Sequence, residues 1–407
     1  MKDKKVLIII VLLVVLIGLV IFAVVPFGNN SNNSTVDKQE TADNLELEVE
    51  DEEVGSLEGT NITLSESLSI TKAGTYNLTG TIEDGSININ VGDDDKVVLV
   101  LDNVSITNSN GPAINIENAD KVTIVLKEGT TNTLADGGSD EEIDGCIYSK
   151  DDLVISGKGT LNVVANNLDG IVSNDDLKIV DSNINVTAKD DGIRGKDSVE
   201  IKDATITIKS EQDALKTTND TEDDKGYMVI ENSTITINAG DDGINAETDL
   251  RIASGTFNIN AVDDAIHANG LLQIDDGTFK LNAAEGLEAT YVKINGGTIE
   301  IEATDDGINA GNKSDKYSIT IEINGGNITI KMGNGDTDGI DSNGNIYING
   351  GTINISANSP FDYDGVANNN GGTIIVNGQE TNTITNQMMG GGMQQGGMQP
   401  GGMQRMH

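Results

Sequence analysis

One short phrase recurs along this chain at a near-constant step: an acid, a small residue, an apolar residue, any residue, and usually a second small residue. It reads Asp191-Gly192-Ile193-Arg194-Gly195, Asp242-Gly243-Ile244-Asn245-Ala246, Asp264-Ala265-Ile266-His267-Ala268 and Asp306-Gly307-Ile308-Asn309-Ala310. The shortest step between copies is 21 or 22 residues. A period of this size marks stacked repeats rather than a single globular core. It also puts an acid at the same point of every repeat, which needs a physical explanation.

The composition agrees with a repeat. Aromatics are 3% of the 407 residues and Trp is absent, so the interior is built from small aliphatic side chains. Gly (48) with recurrent Asn, Thr and Ile suits short strands joined by tight turns. The formal charge of −41 argues against nucleic acid, whose phosphates would be repelled. Regularly placed acids favour a cation partner instead. Cys146 is the only cysteine, so no internal disulfide is possible. Aligned on the phrase, it takes the place of Ile171 and Ile193, as a small core residue.

At the N-terminus, Lys2, Lys4 and Lys5 precede an apolar run from Val6 to Val25. Twenty such residues are long enough to span a bilayer as a helix, and the lysines favour a cytoplasmic start. A retained anchor over residues 1–26 is expected, with a cleaved signal peptide as the rival. Either way the remainder lies outside the cell, at its surface. Residues 27–58 are Asn/Ser-rich and then acidic, which reads as a disordered spacer. The Gly/Met/Gln-rich stretch 386–407 reads as a disordered tail.

Residues 59–385 read as the repeat domain. After each acidic phrase comes a segment such as Leu250-Arg251-Ile252, then one such as Thr256-Phe257-Asn258-Ile259-Asn260. Both alternate apolar and polar residues with period two, the mark of half-buried strands. Three short strands per repeat cannot bury their apolar side alone. Stacked repeats can, each strand pairing with its copy in the next coil. The fold class expected is all-β: a parallel β-helix, right-handed by analogy with parallel crossovers.

Aligned on the small residue, the acid position holds Asp144, Asp169, Asp191, Asp213, Asp242, Asp264, Glu285, Asp306, Asp338 and Asp364. Neighbouring coils lie roughly 4.8 Å apart. Two carboxylates at that distance repel by about 1 kcal/mol in water and about 3.5 kcal/mol at an effective dielectric of 20. Splaying into solvent, proton uptake or a bridging cation would each relieve this. Calcium, which collects six to eight oxygens, suits the last. The alternative is that each Asp caps its own turn through a backbone N–H.

The stretches Tyr148-Ser149-Lys150-Asp151-Asp152-Leu153, Asp169 to Leu177, Asp191 to Asp197 and Val97 to Ile106 resemble secreted, calcium-binding bacterial proteins described as carbohydrate-binding domain-containing parallel β-helix proteins. Their fold is similar to that of pectate-type polysaccharide lyases. The resemblance covers roughly residues 60–380. It implies binding of plant-type polysaccharide, cellulose or polygalacturonate, and calcium held at stacked acidic turns. Carried over, the ligands would be Asp190, Asp191, Asp213, Asp241, Asp242, Asp263, Asp264, Asp305 and Asp306. Gln212 and Ala284 interrupt the paired pattern and suggest separate sites.

Two functions fit. In the first, a calcium-stiffened rod at the cell surface binds glycan without cleaving it, with Tyr227 and Tyr291 as candidate stacking platforms. In the second, the chain is a calcium-dependent polysaccharide lyase. There Arg194 and Lys216, at one place on adjacent coils, supply a cation and a base; salt bridging within the acid column is their alternative role. His267 follows at the same place without an evident catalytic partner. A surface adhesin with no glycan is a third reading. Acidic insertions at Thr217–Gly226, Gly311–Ser318 and near Asn334–Asp336 would shape a binding face.

Overall fold

A computed structural model of the chain describes residues 42–50, 57–138, 143–334 and 337–386. The apolar run Val6–Val25, the Met-rich tail and the insertion residues 335 and 336 lie outside the described residues. Among the described residues there is no helix, and none therefore long and apolar enough to cross a membrane. Strands run from Thr60 to Thr381.

Through most of the array the strands come in threes, and each pairs in parallel with its counterpart one coil later. The chain is thus a β-solenoid, consistent with the expected β-helix. Its first rank follows the acidic phrase and pairs Ile171 with Ile193, Ile193 with Leu215, Leu215 with Ile244 and Ile244 with Ile266. In the second rank Leu177, Val199, Met228, Leu250, Leu272 and Val292 align. The third aligns Ile184, Ile206, Ile235, Phe257, Phe279 and Ile299. All of these point inward and are at most 1% exposed, forming one continuous core. Phe257 and Phe279 stack with centroids 4.7 Å apart and planes 2° from parallel. The coil repeat itself imposes that offset.

The outward side of the third rank is of another kind. One column runs Thr131, Thr160, Asn183, Thr205, Thr234, Thr256, Thr278 and Thr298. The column beside it runs Thr133, Asn162, Asn185, Thr207, Thr236 and Asn258 before Lys280 and Glu300. No register shift interrupts either one. β-Branched Thr is at home on such a pleated, half-exposed surface.

The corner between the second and third ranks turns through a left-handed residue. Asp181, Asp203 and Asn232 take φ of 47°, 53° and 42° there. In later coils Gly297, Gly326 and Gly351 turn the same corner one residue nearer the third strand, with φ of 94°, 91° and 80°. Only glycine adopts that conformation without a Cβ penalty. A ladder of amides seals the same corner: Asn324 donates to Asn295, Asn349 to Asn324 and Asn370 to Asn349, at 2.8–2.9 Å.

Two readings of the sequence need correction. In the first rank Ile147, not Cys146, pairs with Ile171, and Asp169 faces Gly145. Alignment on the phrase slips by one residue in that coil, because the chain reaches the strand through a longer loop; Cys146 is nonetheless fully buried in the core. Within the expected spacer, residues 42–50 lie against the coils. Leu45 N–H donates to Gln273 (2.9 Å) and Val49 N–H to Glu231 (3.0 Å). Lys293 donates to the Ala42 carbonyl, Arg251 to Leu47, Lys202 to Val49 and Lys178 to Glu50. These partners sit on successive coils of the second rank, so the strap crosses the strands. Its alternation of Leu45, Leu47 and Val49 with Glu46 and Glu48 turns the apolar side inward, and Ala42 packs with Leu271 and Tyr291.

Candidate functional site

The acids of the repeated phrase do form a column, and Asp169, Asp191, Asp213 and Asp242 each do two things. One oxygen accepts the backbone N–H of the next acid in the stack. Asp191 N–H donates to Asp169 (3.0 Å), Asp213 to Asp191 (3.1 Å), Asp242 to Asp213 (2.9 Å) and Asp264 to Asp242 (2.9 Å). Each of these four acids therefore ties the coil that follows, rather than capping its own turn. These side chains are buried; solvent does not satisfy them.

The second oxygen faces a neighbouring column three residues further along the chain. That column reads Arg194, Lys216, Asn245, His267, Glu288, Asn309, Asp341 and Asp362. Arg194 bridges Asp144 and Asp169 (2.8 Å to Asp169), and Lys216 bridges Asp191 (3.2 Å) and Asp213 (2.9 Å). Asn245 donates to Asp242 (2.8 Å) and Asp213 (3.3 Å). His267 Nδ1 lies 2.9 Å from Asp264 and 2.7 Å from Glu288, with Nε2 3.1 Å from the Asn269 side-chain oxygen Oδ1. Acceptors at both ring nitrogens make it an imidazolium that donates twice. The column thus passes from basic to acidic along the rod.

Titration follows this gradient. Burial pushes Asp169 to about 6 and Asp191 to about 7 despite Arg194 and Lys216. Burial likewise takes Asp242 to about 6, and Asp264 and Glu285 to about 7. Burial opposes charge on His267, yet Asp264 and Glu288 raise it to about 10. Glu288 feels the same burial but is drawn down to about 2 by His267 and Lys313. Asp306 is raised furthest, to about 8, by burial and then by Asp341, Glu285, Asp305 and Asp338. Asp341 rises to about 6 through burial, Asp362 and Asp338. Asp306, Asp341 and Asp362 carry no ion pair among the described residues.

The expected metal ligands therefore divide. Asp191, Asp213, Asp242, Asp264 and Asp306 are the inner members that make up the ladder. Asp190, Asp241, Asp263 and Asp305 precede them on the outer side of the turn. Donor atoms of Asp213, Asp241 and Asp242 lie within 4.8 Å of one another, as do those of Asp264, Glu285 and Glu288. Asp242, Asp264 and His267 form a third such group, with a nitrogen that suits calcium poorly. In the last full coil the position paired with Asp338 is Ser359, not Asp364, so the acid column ends one coil early.

Other candidates are placed differently from expectation. Tyr291 is 0% exposed and donates to Glu322 at 2.6 Å, so it offers no face to a sugar. Tyr227 is half-buried, its hydroxyl 3.1 Å from Glu200. The insertions fold onto the coils through Lys225–Asp197 (2.9 Å), Lys313–Glu288 (2.7 Å) and Lys316–Asp249 (2.6 Å). They flank a cleft of about 490 Å³ with Glu247, Asp249 and Lys316 in its wall. Arg194 and Lys216 are spent on the acid column. Burial works against the Lys216 charge, but Asp191 and Asp213 raise its pKa well above the ordinary lysine value, and a protonated amine is no base. Sequence reasoning found the bases of this column but missed its acidic end at Glu288, Asp341 and Asp362, which lies in the same place of the phrase.

Comparison with known proteins places these coils. Residues 65–286 and 248–389 match the family described as carbohydrate-binding domain-containing protein. A protein of that description from Acetivibrio thermocellus is 43% identical over 128 residues, which is 30% of this chain and 45% of the relative. The chain thus spans less than half the length of that curated relative. A solved structure, the polysaccharide lyase-like protein from C. thermocellum as a gadolinium derivative, is similar with a TM-score of 0.50 and 38% identity. The match covers 51% of this chain and 87% of that one.

Proposed function

We propose a function from one premise: the chain belongs to the family of carbohydrate-binding domain-containing proteins. It is a non-catalytic binder of plant-type polysaccharide, cellulose or polygalacturonate, displayed outside the cell on a calcium-stabilised rod. The observation that carries this reading is that the family match spans the stacked coils themselves. Display at the cell surface rests on the apolar run Val6–Val25 behind its lysines, as a retained anchor or a cleaved signal. Right-handed winding follows from the chirality of parallel crossovers.

Calcium belongs to this reading for a reason of charge. Built-in bases relieve the column near Arg194 and Lys216, but among the described residues no base pairs with Asp306 or Asp341. The acids around Asp306 suit a hard divalent ion, whereas the oxygens of Asp213 and Asp242 already serve Lys216, Asn245 and backbone N–H groups. The bound ion would supply positive charge that lets these groups ionise together. The solved relative is a gadolinium derivative, and gadolinium is also a hard, oxygen-seeking cation. A lyase reading would need a free base, and Lys216 is not one.

The test is retention of the full-length protein on insoluble cellulose and immobilised polygalacturonate, with calcium and with chelator. Retention on either glycan without release of unsaturated uronides supports the proposal. No retention on any plant polysaccharide in the presence of calcium overturns it.

A further inference from the structure

The two Thr/Asn columns on the outer side of the third rank are unlike the rest of this surface. Charged residues are 22% of the chain, with 66 acids. Yet from Thr160 to Asn258 both columns are uncharged in every coil. The side-chain hydroxyls of Thr205, Thr207, Thr234, Thr236 and Thr256 have no protein partner among the described residues. Thr205, Thr207, Thr234 and Thr256 are exposed. The strap at residues 42–50 contacts the second rank and leaves this face open.

We propose that this Thr/Asn face is where the protein binds glycan, and that the glycan is a neutral polysaccharide presented as an ordered array of chains. The inference rests on the carbohydrate-binding reading and assigns its surface and substrate class. Neighbours in one column are about 4.8 Å apart and the two columns about 6.6 Å apart along the strand. The face is therefore a regular grid of groups that both donate and accept hydrogen bonds. A sugar hydroxyl has the same dual character, and an ordered array repeats it at fixed intervals. Thr adds a methyl for the apolar face of a sugar ring, and its stiff χ1 lowers the entropy lost on binding. Complementarity of charge selects the partner. A neutral chain pays no desolvation of its own charge, whereas a polyuronate meets a net −41 around this face that Lys209 and Lys280, beside the columns, offset only locally.

The probe is microcrystalline cellulose, with soluble polygalacturonate beside it. Wild-type full-length protein is expected to be retained on cellulose equally in calcium and in chelator at a temperature where both forms stay folded. Thr207→Glu with Thr236→Glu should weaken retention at least tenfold, while Asp94→Asn, at an exposed turn away from this face, should leave it unchanged. Thr207→Val with Thr236→Val, which keeps shape and strand propensity, should also lose affinity and guards against misfolding of the charged pair. Cellulose retention unaffected by the valine pair overturns the proposal. So does binding of polygalacturonate alone, in calcium alone, which would leave the carbohydrate-binding reading standing. Absence of binding to every glycan would sink that reading as well.

Discussion

Asp191 accepts the backbone N–H of Asp213 across 3.1 Å while its other oxygen lies 3.2 Å from Lys216. One carboxylate thus joins two coils and neutralises part of its own column. The recurrent acid is first a structural device: it fastens the corner where the chain enters each coil.

Replacing Asp191 by Ala removes that acceptor, leaves a buried N–H unpaired and strips Lys216 of one partner. The expected loss is about 1–3 kcal/mol, read as a lower denaturation midpoint. Asp191→Asn keeps an acceptor oxygen and should cost less. Equal losses in the two variants would mean that the hydrogen bond to Asp213 is not what matters.

Stability should fall as pH rises from about 4 to about 8 in chelator. Asp169, Asp191, Asp242, Asp264 and Asp306 have folded values of about 6 to about 8, against roughly 4 unfolded. The folded chain therefore binds more protons in this window, and linkage makes stability decrease with pH. His267 acts in the same direction, its contribution fading as pH rises through about 10. Glu288, held at about 2, acts oppositely and loses its contribution only as pH falls through that value. Thermal melts from pH 5 to 8 check the slope; a Tm that rises across the window contradicts it. Calcium should flatten the slope by favouring ionised carboxylates.

Phe257→Ala should cost about 3–5 kcal/mol, because the stacked partner Phe279 cannot close the cavity within a fixed coil spacing. A double-mutant cycle with Phe279→Ala should show coupling of about 0.5–1.5 kcal/mol. Additive losses would indicate that the two rings pack independently.

Val49→Asp should free the strap. Val49 is 3% exposed and sits between bonds to Glu231 and Lys202. Amide exchange at Leu45 and Val49 should accelerate while exchange at Ile230 and Ile252 stays slow. Unchanged protection at Leu45 would show that the strap is held elsewhere.

Much of this was legible in the sequence, because period-two alternation and the coil step constrain each other. Leu250/Ile252 and Phe257/Ile259 could only face one shared interior. What periodicity misses is anything depending on distant partners. Nothing in Ala42–Glu50 announces its coil-by-coil contacts with Arg251, Gln273 and Lys293. The slip at Cys146 arose because a loop, not the repeat, sets the register there. Tyr291 looked available because its strand position resembles that of Tyr227, but Ala42 and Tyr317 cover it. The acid column was visible; its internal neutralisation needed the second column, whose residues change type from coil to coil.

The central claim is that charge along this column is balanced internally at one end and by calcium at the other. Calorimetric titration of the wild type and of Asp305→Asn/Asp306→Asn with calcium chloride tests it directly. Saturable binding by the wild type, with at least one site lost in the double variant, is the predicted result. No binding heat and no calcium-dependent rise in Tm for the wild type would contradict it.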